Sequence, residues 1–67
     1  MKRRDLIRKL QRLGFQGPIQ GRKHPFMTKG NRRITLPNPH GNNEIDVSLI
    51  RRIVRQAGLD WADWENA

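Results

Sequence analysis

The chain has no cysteine and no tyrosine, and its aromatic residues are limited to two phenylalanines and two tryptophans. Without cysteine there is neither a disulfide nor a thiolate metal site, so packing alone must hold the chain together. Serine occurs only at Ser48, and neither a serine nor a cysteine sits in a nucleophile context, which argues against a triad hydrolase. No apolar run approaches the ~18 residues of a membrane-spanning helix. No signal peptide is visible, and the cytoplasm is the expected compartment. Repeats, linkers and low-complexity segments are missing as well. Acids are scarce: 6 Asp and Glu stand against 14 Lys and Arg.

That imbalance is the strongest positive statement the composition makes. Sixty-seven residues with a formal net charge of +8 form a single domain, residues 1–67, with a thin core. A small domain this basic expects a polyanion, and nucleic acid is the usual one. No helical pattern combines a broad apolar face with exposed aromatics, so a membrane surface is not the expected partner.

Along the chain, Leu6, Ile7, Leu10 and Leu13 repeat at the spacing of a buried helical stripe, predicting a helix over 1–14 that Gly14 ends. An irregular or edge strand over 15–20 follows, with Phe15 and Ile19 as its apolar anchors and Gly17-Pro18 between them. A second strand is expected over about 23–28. Its adjacent Phe26 and Met27 must point to opposite faces. Lys29-Gly30-Asn31 reads as a hairpin loop, and 32–37 as a strand with Ile34 and Leu36 on one face and Arg33 and Thr35 on the other. A polar loop from Pro37 to Asn43 leads to a second helix over about 46–57, capped by Asp46 or Ser48 and ended by Gly58. Leu49, Ile50, Ile53, Val54 and Ala57 form its buried stripe. Asp60 can cap a final turn that sets Trp61 and Trp64 on one face, where packing is their ordinary use. The expected fold is therefore α+β, helix, three-stranded antiparallel meander, helix, with both helices on one face of the sheet.

Chemistry concentrates in Gly21-Arg22-Lys23-His24-Pro25-Phe26-Met27. His24 is one of two histidines, the side chain suited to proton exchange near neutrality, and two cations precede it. Arg22 and Lys23 by adjacency, Arg33 by sheet geometry, and Lys29 at the hairpin are the expected RNA-contacting cations. From composition alone, an ordinary surface histidine or a static phosphate contact is the readier account of His24. His40 reads as an exposed loop residue. His24, His40 and Glu44 match no common metal-ligand spacing, so neither metal nor cofactor is expected.

Several segments in this order resemble the HicA family of small bacterial toxins: the opening helix ending in Leu13-Gly14-Phe15, and the glycine-containing turn into His24. To these add the strand Arg33-Ile34-Thr35-Leu36-Pro37 and the closing helix from Leu49 to Leu59. The resemblance implies a fold like a double-stranded-RNA-binding domain and a toxin of a type II toxin–antitoxin system. It further implies a messenger-RNA-cleaving endoribonuclease with a HicB-like antitoxin as partner. Members carry one essential histidine after a glycine-rich turn at the start of the second strand, which corresponds to His24. Where many members read Gly-Ser-His-His, this chain has Lys23 before His24 and Pro25 after it, so only the essential histidine carries over. The implied chemistry is metal-free cleavage in which His24 acts as general acid or base on RNA's own 2′-hydroxyl. A non-catalytic RNA- or DNA-binding module, or a basic surface made for an acidic protein, are the alternatives.

Overall fold

The computed structural model describes residues 1–37 and 44–67. Helix α1 spans Arg3–Arg12 and ends as its glycine predicts. Gly14 adopts φ 98°. This lets Phe15 N–H reach back to Leu10 O at 2.9 Å and Gly14 N–H to Gln11 O at 3.1 Å, closing the helix with two otherwise orphaned carbonyls satisfied. Helix α2, Val47–Gln56, ends the same way at Gly58. It starts on Asp46, whose carboxylate accepts from Ser48 N–H at 3.0 Å and from the Ser48 hydroxyl. Each helix is shorter at its ends than the apolar stripe suggested, because the cap residues themselves are not helical.

Between them runs an antiparallel meander of β1 (Gln16–Gln20), β2 (Pro25–Lys29) and β3 (Arg32–Thr35), in the order β1-β2-β3. Lys29 pairs with Arg32, so the β2–β3 turn is the two residues Gly30-Asn31, with Gly30 at φ 58°. One face of the sheet, carrying Met27 and Ile34, is buried under the helices with Leu6, Leu10, Phe15, Ile50, Ile53 and Val54. The opposite face is open. Residues paired directly across antiparallel strands share a face. The pairs Phe26↔Thr35, Thr28↔Arg33, Gln16↔Thr28 and Ile19↔Phe26 therefore put all six of these side chains on the open side.

Ile19 is a correction to the expected pattern. It is 40% exposed rather than an inward anchor. Three residues of β1 span the distance that two residues of β2 span, because the register shifts between Gln16 and Ile19 around Gly17-Pro18. One extra residue reverses the alternation, so Phe15 points in and Ile19 points out.

The acidic tail forms a third helix, α3 (Trp61–Glu65). Trp64 is 2% exposed and belongs to the core, while Trp61 packs half-buried beside it. At the other end of the chain, Met1 O accepts from Ile45 N–H at 2.8 Å and the terminal ammonium pairs with Glu44 at 2.8 Å. Thus the first residues of the chain brace the segment that leads into α2.

Candidate active site

His24 sits in the turn between β1 and β2, one residue before β2 begins, with Arg22 and Lys23 immediately ahead of it; all three are exposed. Two backbone features fix this turn. Gln20 pairs with Pro25, and Pro25 O accepts from Leu36 N–H at 2.9 Å, tying the foot of the turn to the end of β3. Gly21 packs directly against its far side. A Cβ there would lie 2.5 Å from the His24 carbonyl oxygen and 3.3 Å from the Phe26 ring. Only glycine allows the two ends of the turn to approach this closely.

Downstream of the histidine, Phe26 lies on the open face, and the Arg33 guanidinium is stacked over its ring at 3.7 Å. His24, Arg22 and Lys23 thus lie in the turn at one end of the sheet, and Arg33 stands diagonal to Phe26 on its open face. Near this end, Arg3 Nε also donates to Pro37 O at 3.3 Å.

Lys29 does not join them. Parity along β2 puts it on the helix-covered side with Met27. There its Nζ donates to Leu13 O at 2.8 Å and lies 5.9 Å from the centre of the Phe15 ring. Its pair partner Arg32 does the equivalent for α2, donating Nη1 to Gln56 O at 3.3 Å. The two cations thereby cover the carbonyl ends of both long helices, the negative poles of their dipoles. The sequence held the signal: Lys29 is two residues from Met27 and Arg32 two from Ile34, so each shares a face with a core residue.

Acidic residues are absent from the whole stretch between Asp5 and Glu44, which contains the sheet and its turns. No carboxylate from the sheet or its turns therefore competes for Arg22, Lys23 or Arg33. Two concave places among the described residues lie elsewhere. One open groove of about 450 Å³ runs between the α1 end, Lys29 and α3, and another between α2 and Trp61. Among the described residues, no three His, Asp or Glu side chains converge as metal ligands. Glu44 is engaged by the terminal ammonium, and His40 lies outside the described residues. No helix among the described residues is long and apolar enough to cross a membrane.

A family model described as the HicA toxin of bacterial toxin–antitoxin matches residues 3–59. No curated protein and no solved structure matches the chain. The matched span begins with α1 and closes at the residue after Gly58, so it takes in both long helices, the meander and the histidine turn. On that span, covering most of its length, the chain belongs to the HicA family of bacterial toxin–antitoxin toxins.

Proposed function

We propose that the chain is a metal-independent endoribonuclease acting on messenger RNA in the cytoplasm, with His24 as its general acid or base and a HicB-like antitoxin as its inhibitor. The observation that carries this reading is an exposed histidine in a glycine-tightened turn, preceded by two exposed cations in an acid-free part of the chain. RNA supplies its own nucleophile, the 2′-hydroxyl beside each phosphate. A side chain that takes that proton, or delivers one to the leaving 5′-oxygen, suffices to break the phosphodiester. The P–O5′ bond breaks as the P–O2′ bond forms, giving a 2′,3′-cyclic phosphate and a 5′-hydroxyl. Arg22 and Lys23 stabilise the charge that grows on the non-bridging oxygens, and Arg33 holds the strand along the open face. Lys29, occupied at the end of α1, has no part in this set. An acidic or electroneutral antitoxin that covers the histidine turn would block substrate and relieve the toxin's own charge.

His24→Ala should abolish cleavage of RNA and leave RNA binding nearly intact, while cleavage by the parent protein should survive excess chelator. A variant that still cleaves at the parent rate refutes the assignment. Lys23→Gln should reduce the slope of log affinity against log salt by about one unit, as one phosphate contact is lost. Lys29→Gln should leave that slope unchanged. Equal slopes for the two variants would overturn the division between them.

A further inference from the structure

The open face of the sheet carries an apolar feature that a solvated face of so charged a protein does not need. Ile19, 40% exposed, lies directly opposite the half-buried Phe26 across the β1–β2 pair. The ring of Phe26 is held between Gly21 on the turn side and the Arg33 guanidinium at 3.7 Å on the other. That guanidinium lies over the ring and remains solvent-exposed on the open side. The sheet thus presents a planar cation and an adjoining apolar strip, two residues beyond His24 in the chain.

We infer that Ile19, Phe26 and Arg33 form a stacking platform for one unpaired nucleobase of the RNA strand whose phosphate reaches His24, making single-stranded RNA the substrate. The inference rests on the RNA-cleaving reading above and adds the form of RNA taken. Bases in an A-form duplex keep their faces stacked on one another, so a duplex offers this surface only phosphates and sugar hydroxyls. An unpaired base offers a flat face, which aromatic rings and guanidinium planes both take up. Charge complementarity favours a nucleotide over an apolar peptide: Arg33 lies on the strip, Arg22 and Lys23 lie in the adjoining turn, and no acid occurs anywhere in the sheet. The planarity of arginine matters here, not its charge alone.

The test uses the full chain carrying His24→Ala, so that RNA stays intact, and measures binding rather than cleavage. The probes are an unstructured RNA oligonucleotide, its duplex with the complementary strand, and a series of the single strand with one abasic site moved along it. The single strand should bind at least ~10-fold more tightly than the duplex, and one abasic position should cost ~5- to 100-fold. Arg33→Lys keeps the charge and loses the plane. It should remove that position-dependent penalty while keeping the salt slope, and Phe26→Leu should do the same. An Arg33→Lys protein with the parent's affinity and abasic profile overturns the platform, as does duplex binding as tight as single-strand binding. Displacement of the RNA by polyglutamate of equal charge and concentration would also overturn it, showing a general anion surface. Failure to bind RNA in any form would instead refute the nuclease reading itself, which separates the two failures.

Discussion

Trp64 lies beyond the family-matched span, yet the domain should not hold together without it. The side chain is 2% exposed and closes the core beneath α3, with Lys9 Nζ 5.0 Å from the centre of its ring. Truncating a buried tryptophan to alanine costs about 3–5 kcal/mol through lost burial and the cavity left behind. Loss of the partly shielded Lys9–ring interaction adds about 0.5–1 kcal/mol. Lys9 Nζ also donates to the main-chain Trp64 O at 3.1 Å, and that bond can survive the substitution only if α3 stays docked. Against this stands the stability of the whole domain. At roughly 0.05–0.15 kcal/mol per residue, 67 residues give a total of about 3–10 kcal/mol. Trp64→Ala should therefore remove a third of the stability at the least and unfold the protein at the worst. Urea titration followed by far-ultraviolet circular dichroism measures this directly, and the remaining Trp61 gives a second, fluorescent probe of the same transition. With a slope of ~1 kcal/mol per molar urea, the midpoint should fall by at least ~3.5 M, or the transition should vanish altogether. A loss below ~1 kcal/mol at unchanged slope would show that α3 is an appendage and that the core is complete without it.

Two further outcomes follow from local geometry. Gly21→Ala places a Cβ against the His24 carbonyl oxygen, which is main chain and cannot swing aside; the turn must shift. RNA cleavage should fall ~10- to 100-fold, the usual cost of displacing a reacting group by about 1 Å, with the salt slope of binding retained; unchanged turnover would show that the turn does not orient the histidine. On the acid side, the Glu44 carboxyl is held below its ordinary value of 4.5, first by the hydrogen bond from the terminal ammonium and then by that group's charge. Asp46 is likewise held low by the Ser48 hydroxyl and then its N–H. Both folded values lie under the unfolded ones, so the stabilisation is present above the unfolded values and is lost as pH falls through the folded ones. Melting temperature should therefore drop as pH falls below 4.5, and Glu44→Gln should flatten that drop; an identical profile in the variant would show that the ammonium contact contributes nothing.

The helices were legible because each ends on a glycine that the apolar stripe leads up to, and glycine at that place has one efficient use. The order of the strands was legible for a similar reason, since Gly30-Asn31 and the clean alternation of β3 fix a hairpin. What escaped was parity. Residues 16–19 of β1 contain one more residue than their partner segment, and no residue type announces which side of Gly17-Pro18 takes the bulge. Ile19 was therefore read as an anchor equivalent to Phe15, and the apolar strip beside Phe26 could not be seen. Lys29 was lost to the same cause: placed in a three-residue loop, it had no assigned face, whereas its pairing with Arg32 gives it one. The position of His24 at the start of β2 was recoverable because Pro25 disfavours an earlier start to regular pairing. The third helix reads only as a turn in the sequence, since nothing in five residues with two acids and no cation declares that Trp64 fills the core.

The protein's excess of cations creates a problem that its few acids cannot solve by ion pairing. Among the described residues the structure has one ion pair, between the terminal ammonium and Glu44. Lys9, Lys29, Arg3 and Arg32 instead donate to main-chain carbonyls, and Arg33 and Arg51 lie over the rings of Phe26 and Trp61. Carbonyl oxygens and ring faces attract a cation without cancelling its charge, so the domain gains local contacts and keeps its long-range field. The acids are placed consistently with this: Asp5 in α1, Glu44 and Asp46 ahead of α2, and Asp60, Asp63 and Glu65 around α3. They lie on the helices and their approaches, and the sheet has none. Arg22 and Lys23 are exposed in a stretch of the sequence without a single acid, so the cations there keep their full charge.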